Sequence, residues 1–116
     1  MSTFDHVGLM AGINSNLAEF RKGQASVSQS FGQLAQAAMT AGALDAKQKE
    51  LIALAIGVSQ RCSGCIGFHT KALHKLGATR QELDEALGIC VYMGGGPALM
   101  YAAEAISAWN QLDKPA

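Results

Sequence analysis

Four residues in this 116-residue chain have types and spacing that fit joint chemistry: Glu50, Cys62, Cys65 and His69. Cys62 and Cys65 form a C-x-x-C pair, and His69 follows the second cysteine by four positions. On a helix, steps of three and four place all three side chains on one face. A helix start near Cys62 favours a thiolate there through the partial positive charge of the macrodipole. His69, one turn beyond Cys65, is in position to accept a proton. If the preceding helix folds back through a turn near Gln60 and Arg61, Glu50 lies ~15 Å and His69 ~12 Å from that turn at the usual helical rise. The two then stand at similar heights, where a carboxylate can orient an imidazole and sharpen it as a base. This is what a redox-active dithiol requires. One thiol attacks as thiolate, a second resolves the sulfenic acid or mixed disulfide, and a base takes a proton, because a free thiol with pKa ~8.5 is mostly protonated at neutral pH.

The elements that must position these residues read as helices throughout. No stretch alternates like a strand, and apolar residues recur at three- and four-residue steps. Met10, Ile13, Leu17 and Phe20 form one stripe, which Val27, Phe31, Leu34 and Ala38 continue. One long helix fits that spacing, but Gly23 costs roughly 1 kcal/mol in a helix interior, so two helices of about 4–22 and 24–41 are expected, with Gly42 as a C-terminal cap. Asp45 with Gln48 makes a capping box that opens a third helix of about 46–60. Leu51, Ile52, Leu54, Ala55, Ile56 and Val58 give it an apolar face broad enough to predict burial on more than one side. A fourth helix starts near Cys62 and ends before Gly77. Thr79 and Glu82 form a second capping box, opening a fifth helix with Leu83, Leu87, Cys90 and Val91 on its stripe. Gly94-Gly95-Gly96 breaks that helix, and Pro97 suits the first turn of a sixth, with Ala98, Ala102, Ala105, Trp109 and Leu112 on its buried side. Short connections favour antiparallel neighbours, so the expectation is an all-α compact bundle of about six helices in one domain, residues 1–116.

Composition narrows the function classes. Hydrophobic residues make up 49% and charged residues 16%, the latter low against the usual ~25%, which points to apolar surface buried between subunits. Lys plus Arg and Asp plus Glu are 9 each, for a formal net charge of zero. No basic excess is present to neutralise phosphates or anionic lipid, so neither nucleic acid nor a membrane surface is an expected partner. The longest apolar run, Leu51 to Ile56, falls far short of the ~20 residues that span a bilayer. Met1 to His6 has no basic n-region followed by an apolar segment, so a cytoplasmic location is expected. Three cysteines, an odd number, suit redox or metal chemistry better than a disulfide framework.

The combination of Glu50, the C-x-x-C pair and His69 resembles the signature of the alkylhydroperoxidase D-like branch of the carboxymuconolactone decarboxylase family. Lys49-Glu50-Leu51-Ile52-Ala53-Leu54-Ala55 upstream is similar too, as are Leu76-Gly77-Ala78-Thr79 with Glu82, Glu85 and Ala86 downstream and the break Gly94-Gly95-Gly96-Pro97-Ala98. The resemblance covers roughly residues 43–103. It implies the alkylhydroperoxidase D-like fold and a thiol-dependent peroxidase without cofactor or metal. Cys65 would attack the peroxide, Cys62 would resolve, and His69 with Glu50 would relay protons. It further implies a dithiol or protein electron donor and a homo-oligomer, a trimer or pair of trimers. Well-studied members often carry a second histidine between the cysteines, where this chain has Gly64, so the relay is one group shorter. The lactone-decarboxylating branch generally lacks the paired cysteines, which disfavours decarboxylation.

Blander readings stand beside these. A structural zinc site wants four ligands, and Cys62, Cys65 and His69 supply three, with His74 on a different helical face. A helical interaction module whose cysteines sense oxidant or bind zinc without turnover is thus the alternative function. Cys90, on an apolar stripe, reads as core. His74, among Lys71 and Lys75, reads as a solvated surface residue, and His6 is uninformative. Glu19, Arg21 and Lys22 read as a solvated face. Tyr92, Met93, Met100 and Tyr101 flank the glycine break and read as core or subunit-contact residues.

Overall fold

The computed structural model describes residues 4–113. It contains six helices: α1 (His6–Gly23), α2 (Ala25–Met39), α3 (Ala46–Ser59), α4 (Ser63–Lys75), α5 (Arg80–Gly94) and α6 (Gly96–Leu112). None is long and apolar enough to cross a membrane.

The local signals act where their chemistry requires. Asp45 and Gln48 satisfy each other's backbone N–H groups at the start of α3, as do Thr79 and Glu82 at the start of α5. The first forty residues do form two helices, and the chain leaves helical geometry at Gln24 (φ −138°, ψ 59°), one residue past the weak Gly23. Gly42 is not the cap of α2. That helix is capped at Thr40, and the Lys49 ammonium donates to the carbonyls of Ala38 at 2.9 Å and Thr40 at 2.7 Å, satisfying orphan acceptors that a glycine turn would otherwise take.

The core lies among α3, α4, α5 and α6. Leu54 and Val58, Ile66 and Leu73, and Leu83, Leu87 and Cys90 pack around Ala102, Ala105 and Trp109. Alanines on α6 let its backbone approach its neighbours. The broad apolar face expected to bury α3 on two sides is buried on only one within the chain: Ile52 and Ile56 face outward. The N-terminal stripe departs further. Met10 is buried, but Leu17, Phe20, Val27, Phe31 and Leu34 are exposed. Tyr92, Met93 and Met100 are exposed too and are not core residues of this chain. Periodicity records that a face is apolar, not which molecule covers it.

Helices α3 and α4 end in the same turn. After α4, the N–H of Gly77 donates to His74 O and that of Ala78 to Leu73 O, with Gly77 at φ 80°. After α3, Arg61 N–H donates to Val58 O and Cys62 N–H to Gly57 O, with Arg61 at φ 58°. Both are Schellman turns, whose left-handed position usually belongs to glycine. The turn at Arg61 reverses the chain so that α4 runs back along α3.

Candidate active site

Cys62 is the N-cap of α4, and its Sγ accepts from the backbone N–H of Cys65 at 3.1 Å. The side chain therefore sits where the helix presents unsatisfied donors and a partial positive charge. Three residues on, Cys65 is in the first turn, with the two Cα atoms 5.2 Å apart, and a disulfide joins the pair. Both cysteines are half-buried, so the bond lies at a surface that small molecules can reach.

His69 is one turn further along α4. Its Nδ1 lies 2.7 Å from Glu50 Oε2 across the α3–α4 hairpin, with both side chains partly buried. The carboxylate can only accept, so the hydrogen bond places the ring proton on Nδ1 and leaves Nε2 as the acceptor. Glu50 and His69 thus meet as the helical rise on either side of the turn predicts. All four residues singled out from the sequence fall on two adjacent antiparallel helices, three of them within two turns of α4.

Two positions that help build the site carry weak signals in the sequence. Gly57 on α3 is buried, and a Cβ there would stand 3.0 Å from Cys65 Cβ. Its missing side chain lets α4 lie close enough for the hairpin to hold the dithiol. Ile13 of α1 lies over Gly64, with Cδ1 2.9 Å from where a Cβ would stand. A lone glycine in an apolar helix was the available sign of the first contact, and nothing local signalled the second.

The remaining histidines and Cys90 lie apart. His74, expected to be solvated, is half-buried, bonds through Nε2 to Asp113 Oδ1 at 2.7 Å and stacks edge-on to Trp109. It serves the α4–α6 contact and does not join Cys62, Cys65 and His69. Among the described residues no cluster of three or more His, Cys, Asp or Glu is arranged to hold a metal ion. Cys90 is buried on α5, its thiol directed at Ala55 O at 3.7 Å, and burial pushes that thiol's pKa up. His6, uninformative as sequence, is almost fully buried at 1% exposure, with Nε2 4.0 Å from Glu104 Oε1. Burial lowers its pKa, against the opposing pull of Glu104 and Asp5.

Comparison with known proteins gives one answer. Residues 25–108 match the model of the carboxymuconolactone decarboxylase family. The fold superposes on the apo form of a carboxymuconolactone decarboxylase family protein from Legionella pneumophila with TM-score 0.92 and 53% identity, covering 94% of this chain and 97% of that one. A family protein from Thermotoga maritima, for which a role in the antioxidative response has been suggested, superposes with TM-score 0.80 and 28% identity over 89% of this chain and 88% of that one. An uncharacterised protein of Cupriavidus necator is 38% identical over 101 residues, 87% of this chain and 89% of its own length.

Proposed function

The chain belongs to the carboxymuconolactone decarboxylase family, and on that footing we propose that it is a thiol-dependent peroxidase whose working groups are Cys65, Cys62, His69 and Glu50. One observation carries the reading. A half-buried C-x-x-C disulfide at the start of α4 lies one helical turn from an imidazole held in a single tautomer by a carboxylate.

The cycle begins from the reduced pair. His69 Nε2, or a water bound to it, takes the Cys65 proton, and the thiolate attacks an oxygen of the hydroperoxide. The O–O bond breaks, Cys65 becomes a sulfenic acid, and the leaving alkoxide takes the proton back from His69 to depart as an alcohol. Cys62 then attacks the Cys65 sulfur. The S–O bond breaks, water leaves with the Cys62 proton, and the disulfide forms. Glu50 holds the imidazole oriented and stabilises it while it is protonated. An external dithiol or protein dithiol returns two electrons and two protons by thiol–disulfide exchange. A reducing cytoplasm supplies such donors.

The antioxidative role suggested for the Thermotoga maritima protein supports this reading. We also propose that the subunits self-associate, because so much of the apolar surface of α1, α2, α3 and α5 is exposed on one subunit; the family resemblance implies a trimer or a pair of trimers. The test is peroxide consumption with several dithiol donors in the wild type and in Cys62→Ser and Cys65→Ser. Turnover in the wild type, with loss in both variants and no loss of helical structure, is expected. Absence of turnover with every donor would overturn the reading.

A further inference from the structure

The turn that leads into the dithiol keeps an arginine where glycine would be unstrained. Arg61 and Gly77 hold the same position in twin turns, at φ 58° and φ 80°. The left-handed region strains a residue with a Cβ and leaves glycine free. The turn is closed by backbone alone, with Arg61 N–H donating to Val58 O at 3.1 Å and Cys62 N–H to Gly57 O at 3.0 Å. Arg61 is exposed, and among the described residues its guanidinium takes part in no ion pair or side-chain hydrogen bond. The side chain is thus not there to build the turn.

Arg61 lines a cavity of about 310 Å³ at the end of the bundle where α4 begins. Val58 of α3, Met93 of α5, and Pro97 and Ala98 of α6 give it apolar walls, and Arg61 is its only charged lining residue. Its volume is in the range of small-molecule sites. The lining also fixes where the cavity stands relative to the disulfide. Pro97 and Ala98 meet Arg61 at the start of α4, while Trp109 and Asp113 meet His74 near its end. Helices α4 and α6 therefore run parallel, and the start of α6 stands level with Cys62, the residue after Arg61. Cys65 backs instead onto α3, where a Cβ on Gly57 would stand 3.0 Å from its own Cβ.

We propose that Arg61 binds the carboxylate of a small thiol in this cavity and directs that thiol to Cys62, so that the reductant of the disulfide is an organic anion. Apolar walls around one unpaired cation select such a molecule, and the guanidinium fork matches a carboxylate. A nearby cation also raises the thiolate fraction of the bound donor. The donor thiolate attacks Cys62 Sγ, the Cys62–Cys65 bond breaks, and a mixed disulfide forms on Cys62 while Cys65 leaves as thiolate. A second donor thiolate, from another molecule or from the same one if it is a dithiol, attacks the donor sulfur. Cys62 then leaves, and the donor departs as its disulfide. Two thiols are oxidised to one disulfide, and the two protons they release end on Cys65, by way of His69, and on Cys62. Cys65 is freed first, beside the base that activates it for the next peroxide. This inference rests on the peroxidase cycle proposed above and names the class of its reductant.

The experiment follows reduction of the oxidised protein without peroxide, by acid quench, alkylation and mass spectrometry. The donors are 3-mercaptopropionate and cysteamine, similar in size and opposite in charge. Each rate is divided by that donor's rate on a small uncharged disulfide, which cancels intrinsic reactivity. The corrected ratio should favour 3-mercaptopropionate by about fivefold at low salt, the scale of an exposed ion pair, and collapse at about 1 M salt. Arg61→Lys should keep most of the preference. Arg61→Asn, which tolerates the left-handed region, should abolish it, and Arg61→Gly takes its place should that variant unfold. Quenched intermediates should carry the donor on Cys62, with Cys65 alkylated. A ratio near one in the wild type, a ratio unchanged when the guanidinium is removed, or a mixed disulfide on Cys65 would overturn the site. The two readings fail separately. A protein that consumes peroxide but is blind to donor charge loses only the Arg61 site, whereas one that shows the charge preference but is idle towards peroxide loses only the peroxidase cycle.

Discussion

Ile13 Cδ1 of α1 lies 2.9 Å from the point where a Cβ on Gly64 would stand, so α1 lies directly over one of the two residues between the cysteines. At Gly64, where the family resemblance leads one to expect a histidine, the space a side chain would fill is taken by an isoleucine from another helix. Gly64→His should therefore destabilise the fold by ~1–3 kcal/mol through overpacking, and Ile13→Ala in the same chain should recover most of that loss. Urea unfolding of the two single variants and the double variant measures it. Additive losses in the double variant would show that the two positions do not compete for space.

Cys65 should be the thiol that peroxide oxidises. The macrodipole favours Cys62 by roughly 0.3–1 kcal/mol, and its N-cap position makes that pull real. A positioned base contributes about 10²–10⁴-fold, or ~3–5 kcal/mol, and His69 is one turn from Cys65 but nearly two from Cys62. Trapping with dimedone should give adduct at Cys65 in Cys62→Ser and almost none in Cys65→Ser. His69→Ala and Glu50→Ala should each slow trapping and move its pH dependence up towards the range of an unassisted thiol. Ready trapping at Cys62, indifferent to His69, would reverse the roles.

Cys90 should stay out of the cycle. It is buried, and desolvation raises its pKa, so little thiolate forms near neutral pH. After mild peroxide, mass mapping should find the 62–65 bridge, with Cys90 alkylated only once the protein is denatured. A bridge that includes Cys90 contradicts this.

Acid should loosen α1. His6 is buried with both ring nitrogens lacking a hydrogen-bond partner, and its pKa in the fold is lowered mainly by burial. The unfolded chain, with an ordinary histidine value near 6.5, then binds a proton that the folded chain resists. Stability is full above that value and falls as pH drops through it towards the lower folded value. The limiting slope is about 1.4 kcal/mol per pH unit for one proton. His6→Phe should flatten this slope between pH 7 and 5 in denaturant titrations, and an unchanged slope would assign the acid sensitivity to other groups.

Arg61→Gly should stabilise the protein. Arg61 holds φ 58° in a turn that Gly77 makes at φ 80° after α4. The left-handed conformation costs a side-chain-bearing residue roughly 1–2 kcal/mol, offset by about 0.4–1 kcal/mol for the greater freedom of glycine in the unfolded chain. A net gain of about 0.5–1 kcal/mol in thermal or denaturant unfolding is expected. A loss would mean that the guanidinium contributes contacts outweighing the strain.

Local chemistry determined much of this protein in advance. The capping pairs Asp45–Gln48 and Thr79–Glu82, the break near Gly23 and the glycine turn before Pro97 act over three or four residues, so neighbours in sequence suffice to place the helices. The same holds for Cys62, Cys65 and His69, whose common face follows from the turn of a single helix. Even the meeting of Glu50 with His69 was legible, because two helices joined by a short turn bring equal heights together. Tertiary structure alone decided what crosses between distant segments. Ile13 over Gly64, the burial of His6 against α6 and the pairing of His74 with Asp113 join residues 39 to 98 positions apart in sequence, and no periodicity encodes such contacts. It also decided which apolar faces the chain covers itself. Val27 and Leu54 both lie on apolar stripes of helices, yet one is exposed and the other fully buried, because burial depends on where a whole helix comes to rest and not on the pattern along it.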